Sequence, residues 1–200
     1  MYISQGVASY RGHVQCLGKY VQHLICLIAV SGGDIMNPSL KELIDVASHL
    51  VKKGGEQLGI ENLDQGFRYE LLSFMMYLSA SDGKIDASEA KVIEYYTGIS
   101  ASPQAIREHV RKNNINSAEY KNTVPHIFQA MIKADNELYK KKIHVEKYTG
   151  EIMIEAYIGI ANELINADRS VSEIERTNVD VYINNLKKYL NDNLLAPRRE

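Results

Sequence analysis

Five carboxylates fall in the one arrangement of this sequence that recurs with side chains able to act together. Asp82, Asp86 and Glu89 lie in Ser81-Asp82-Gly83-Lys84-Ile85-Asp86-Ala87-Ser88-Glu89, and Asp168 and Glu175 in Ala167-Asp168-Arg169-Ser170-Val171-Ser172-Glu173-Ile174-Glu175. The two stretches align: a small residue and an Asp follow an apolar segment, then come a β-branched residue, a polar residue and a Glu. A third, fainter copy is read at Ser31-Gly32-Gly33-Asp34-Ile35, with the cap displaced to Asn37.

Helix capping explains part of the pattern. Asp86-x-x-Glu89 and Ser172-x-x-Glu175 have the spacing of capping boxes, in which cap side chain and Glu satisfy each other's orphan amides. Gly83 supplies a left-handed residue, and Ile85 and Val171 are placed to pack back as hydrophobic staples. Asp82 and Asp168 are not required by capping. An anion at a helix C-terminus faces the negative end of the dipole and needs a compensator: a loop amide, a Lys or a cation.

Other chemistry finds little support. There is no phosphate loop, His-Glu-x-x-His, nucleophile elbow or Cys-x-x-Cys, and the histidines show no ligand spacing at three or four residues. A diiron carboxylate centre lacks its Glu-x-x-His pairs. Glu163 stands on a face with Ala156, Gly159, Ile160 and Ala167, either at the rim of the apolar stripe or buried with a partner. An enzyme reading needs Glu163 and the corner acids to converge on one point.

The elements that position these residues are helices. No segment alternates apolar and polar residues as a strand would. The periodicity predicts helices over roughly 6–30, 38–53, 64–80, 87–97, 103–113, 123–140, 146–167 and 173–193. Asn37-Pro38 and Ser102-Pro103 read as cap followed by proline at the first helical position, and Thr123 as a third cap. Gly54-Gly55 and Gly98 are expected to close helices. The 87–97 helix should bury Ala90, Val92, Ile93 and Tyr96, and the last helix Ile174, Thr177, Val181, Ile183 or Asn184, Leu186 and Leu190. The expected fold is all-α, a multi-helix bundle of two pseudo-repeated helical halves preceded by an N-terminal helix pair. Residues 1–60 form that pair packed on the bundle, 61–195 the main domain, and 196–200 a tail.

The twin corners resemble those of the tellurite-resistance TerB-like family, an all-helical fold of two related halves that each turn on an Ala-Asp-Gly…Glu corner. The resemblance covers about residues 62–193. It implies a non-enzymatic protein of stress response that binds a protein partner, with a divalent cation, Ca2+, held weakly at the corners. Carried over by position, the ligands are Asp82, Asp86, Glu89, Asp168 and Glu175, with Ser172 at the second corner. Arg169 stands where the family has Gly, beside Asp168, which makes the first corner the stronger candidate. Calcium takes roughly six to eight oxygens, so one corner alone would bind poorly and the two would have to pool their acids.

Composition narrows the partners. A net charge of −2 and no basic stripe argue against nucleic acid, and Lys140–Lys142 reads as a solvated helix end. The longest apolar run near the start, Leu24–Val30, is far short of the roughly twenty residues of a membrane span. No signal peptide is read, so a cytoplasmic location is expected. Cys16 and Cys26 are about 15 Å apart on one expected helix, too far for a disulfide. Thirteen tyrosines against three phenylalanines suggest amphipathic packing near the surface. Two alternatives stay open: a carboxylate-based metal-dependent enzyme of unknown substrate, and a helical scaffold for assembly in which residues 1–60 form a docking arm.

Overall fold

The computed structural model describes residues 38–115, 120–167 and 173–196. The expected helix at 6–30, both cysteines, the faint copy at Ser31–Ile35, and Asp168, Arg169, Val171 and Ser172 lie outside the described residues. Among the described residues there is no strand. The helices are α1 (Pro38–Leu58), α2 (Leu63–Ser79), α3 (Ala87–Thr97), α4 (Pro103–Lys112), α5 (His126–Lys140), α6 (Thr149–Ala167) and α7 (Glu173–Asn193), with a short 3-10 turn at Tyr120–Asn122.

The hub is α6, which touches α1, α2, α3, α5 and α7. Its sequence is apolar nearly all round, as a helix surrounded by others must be, and Met153, Ala156, Tyr157, Ile160 and Ala161 are fully buried. Leu40, Leu43, Ile44, Ala47 and Val51 carry the apolar face of α1 into the same core.

Several helix ends differ from the sequence expectation. Gly54 and Gly55 do not end α1; they lie inside it, where a Cβ on Gly54 would come within 2.7 Å of the Met131 sulfur. The close approach of α1 and α5 requires the small residue there. The helix closes one turn later at Gly59, φ +71°, with Gly59 N–H donating to Glu56 O and Ile60 N–H to Gly55 O at 2.9 Å. That pair of bonds is a Schellman motif. α3 begins and ends as read, Gly98 closing it in the left-handed conformation. Ser102 caps α4 by accepting the Ala105 N–H at 3.2 Å, with Pro103 next to it.

Thr123 does not cap α5. Pro125 holds the cap position in extended backbone, and no side chain of the cap bonds the helix start. On α7 Ile183, Leu186 and Leu190 are buried as expected, but the buried face of its first half is rotated. Glu175, Asn178, Tyr182, Ile183, Leu186 and Leu190 are buried, whereas Ile174 is 57% exposed. Counting back from Leu190 in three- and four-residue steps reaches Glu175, so Ile174 falls one position, about 100°, off the seam.

Tyrosines are not confined to the surface. Tyr157 and Tyr182 are among the largest fully buried side chains. They pack with Phe67 and Phe74, with Phe74 stacked on Tyr182 at 4.6 Å and edge-on to Tyr157 at 5.1 Å.

Candidate functional site

The first corner is built as a cap. Asp86 stands in extended backbone and its Oδ1 accepts the amides of Ser88 at 2.7 Å and Glu89 at 2.9 Å. Glu89 returns the bond, its Oε2 accepting the Asp86 N–H at 2.9 Å. Burial alone would raise the Asp86 pKa, but the Glu89 and Ser88 amides and the Ser88 hydroxyl outweigh it and hold the carboxyl below its usual range. Ile85 is buried beneath the cap as a staple.

Asp82 has found its compensator in the loop itself. Its Oδ1 accepts the Lys84 N–H at 2.7 Å, an Asx-type turn that ties the carboxylate to the bend after α2.

The glutamates of the two motifs are both buried and lie near enough to act on one another. Glu89 is 3% exposed and Glu175 is 5% exposed, and the charge of Glu175 bears on Glu89. Burial is the main cause that pushes Glu89 up to about 7; the like charges of Asp86 and Glu175 add to it, while the Asp86 amide and the nearby Ser79 hydroxyl oppose it. A second carboxyl near a buried one favours its protonated form. Among the described residues, no three His, Cys, Asp or Glu side chains gather closely enough to hold a metal ion. Of the ligands named from the resemblance, Asp86 and Glu89 bond each other's amides, Glu175 acts on Glu89 by its charge, Asp82 is occupied with its turn, and Asp168 lies outside the described residues.

Glu163 does not join this group. It is half-buried at the rim of the α6 stripe, burial raises its pKa, and the Tyr96 hydroxyl opposes that rise. The corner acids are not among the groups acting on it.

Two further carboxylates, Asp135 buried and Glu70 half-buried, were not singled out from the sequence. Asp135, on α5 and 1% exposed, accepts the Thr149 N–H at 3.2 Å and the Gly150 N–H at 3.0 Å, one on each oxygen. It thereby caps α6 from another helix, and burial pushes it up to about 6 against those bonds. Glu70, on α2, accepts the Ile127 N–H at 3.1 Å and is held down also by the His126 amide, so it caps α5. Burial outweighs these bonds and pushes it up to about 7.

Glu70 differs from Asp135 in having spare capacity beside open space. Its Oε2 is buried without a hydrogen-bond partner, and the residue lines a surface cavity of about 260 Å³. Tyr69, Ser73, Tyr120, His126 and Tyr182 share that lining. The Tyr120 ring lies between Tyr77 at 4.8 Å and Tyr182 at 6.1 Å. The signal for both missed acids is in the sequence. Phe67, Glu70, Leu71 and Phe74 share one helical face, as do Phe128, Met131, Asp135 and Leu138. A carboxylate on an apolar stripe is buried with a partner or stands at a rim.

No protein-family model, curated protein or solved structure matches the chain.

Proposed function

We propose that the chain is a non-enzymatic, TerB-like helical protein of stress response that binds a protein partner and senses a divalent cation weakly at its paired acidic corners. The observation that carries this reading is that Glu89 and Glu175 are both buried, with the charge of Glu175 acting on Glu89. Each glutamate begins the helix after its corner, α3 in one case and α7 in the other. Equivalent buried glutamates in the first turns of two helices are what a duplicated TerB-like fold would produce. A cation near them would offset the burial and like charge that raise Glu89.

The enzyme alternative needs Glu163 to converge with these acids. Its pairing with Tyr96 supports the non-enzymatic reading instead.

Calorimetric titration with calcium at pH 7.5 tests the proposal. A weak saturable heat is expected, with Kd on the order of 10⁻⁴–10⁻³ M, lost in Glu89→Gln and Glu175→Gln. No heat in the wild type, or heat unchanged in both variants, removes the cation from the function.

A further inference from the structure

The cavity beside Glu70 is separate from the acidic corners and has a chemistry of its own. We propose that it binds the ammonium head of a primary alkylamine, with Glu70 as counter-ion and the rings of Tyr69 and Tyr120 as its walls.

Three observations lead there. First, among the described residues Glu70 Oε2 is buried with no hydrogen-bond partner and no Lys or Arg acts on Glu70. The nearest basic neighbour in sequence to Tyr120, Lys121, is turned to Asn178 Oδ1 at 3.2 Å. A buried carboxylate without a counter-ion is costly, and an incoming cation would supply one. Second, Tyr182 is 1% exposed and lines the cavity, its hydroxyl shared with that of Tyr157. Ser73 belongs to the same lining. An ammonium offers three donors to such oxygens. Third, the aromatic rings offer negative faces to a cation. Tyr69, 68% exposed at the rim, has the free face, while Tyr120, packed against Tyr77 and Tyr182, forms a fixed wall.

Other ligand classes fit worse. A guanidinium prefers both oxygens of a carboxylate, and Oε1 is already taken by the Ile127 amide. An anion would meet Glu70 directly. The volume of about 260 Å³ suits an alkyl chain with one head group more than a drug-sized molecule. The ammonium can belong to a free amine or to a lysyl side chain.

The test is NMR titration of the full chain, reading the Ile127 and Ser73 amide resonances. n-Butylamine, as its ammonium ion, is expected to give saturable shifts in the millimolar range, and n-butanol none at equal concentration. Glu70→Gln, which keeps an acceptor for the Ile127 amide, should bind about tenfold more weakly. Should that variant fold poorly, the exposed Tyr69→Ala is expected to lose about two- to fivefold. Nα-acetyl-lysine methylamide gives the source: tighter binding than n-butylamine points to a lysyl side chain, weaker binding to a free amine, and either supports the site. The proposal is overturned if n-butanol binds as well as n-butylamine, if n-butylamine gives no saturable shift, or if neither variant changes its affinity.

Discussion

Asp135 accepts the backbone amide of Gly150 at 3.0 Å and thereby starts a helix to which it does not belong. Its other oxygen takes the Thr149 amide, and the residue is buried. Because both oxygens are in use, no neutral side chain of the same shape can replace it. Asp135→Asn would turn an NH₂ group toward one of the two amide donors. The expected loss is about 2–3 kcal/mol of unfolding free energy, nearly as large as for Asp135→Ala. Urea denaturation at pH 7.5 measures both; an Asn variant within about 0.5 kcal/mol of the wild type would show that the second bond contributes nothing.

Stability should fall as the pH rises through the weakly acidic range. Glu70 and Glu89 are raised to about 7 and Asp135 to about 6, from ordinary values of 4.5, 4.5 and 3.8. Between those limits the folded chain holds protons that the unfolded chain has released, so raising the pH favours unfolding. Asp86, whose pKa is lowered, acts oppositely: its contribution is present above the ordinary Asp value and is lost as the pH falls through its lowered one. The optimum is therefore expected between about pH 4 and 5. Allowing for solvent around Glu70 and Glu89, the combined effect from pH 5 to 8 is on the order of 5–10 °C in Tm. Thermal melts across that range are the check, and a Tm that climbs toward pH 8 would refute the burial of these acids.

Glu89→Gln separates one of these groups from the rest. Glutamine can still accept the Asp86 amide, so the capping box survives while the repulsion with Glu175 disappears. The variant should have a flatter pH profile than the wild type and equal or higher stability at pH 8. Destabilisation of the variant at pH 8 by more than about 1 kcal/mol would mean that the ionised carboxylate itself holds the corner.

How much of this was legible in the sequence depends on whether a signal was local. The first corner was, because Asp86, Glu89, Ile85 and Gly98 act on neighbours a few residues away. So was the rim position of Glu163. The start of α5 was not, because Glu70 caps it from 57 positions earlier, and no local pattern announces a cap in trans. Gly54-Gly55 misled for a related reason: a glycine pair suits a helix end locally, but the approach of Met131 decides the matter. Ile174 and Glu175 exchanged places because the buried face of α7 is set by Leu186 and Leu190, not by hydrophobicity at its first turn.

The place of α1 in the core can be tested at Gly159. Helix propensity alone predicts that Gly159→Ala, inside α6, would stabilise by about 1 kcal/mol. A Cβ there would lie 2.4 Å from Leu40 Cδ1, and Leu40 is 1% exposed with no room to retreat. A net loss of about 1–3 kcal/mol is expected, with Leu40→Ala in the same chain recovering part of it. A stabilised Gly159→Ala protein would mean that α1 can move away from α6.

Asp82 distinguishes a structural corner from a ligand-binding one. Its Oδ1 accepts the Lys84 amide at 2.7 Å, a bond that an asparagine oxygen makes equally well. Asp82→Asn should therefore leave the stability within about 0.5 kcal/mol of the wild type. Any larger change would show that the charge, and not the turn, is needed for folding. With stability preserved, the variant becomes a clean probe of the cation reading. Calcium heat that persists in Asp82→Asn but vanishes in Glu175→Gln would place the ion between the two buried glutamates; heat lost in both would extend the site outward to the loop.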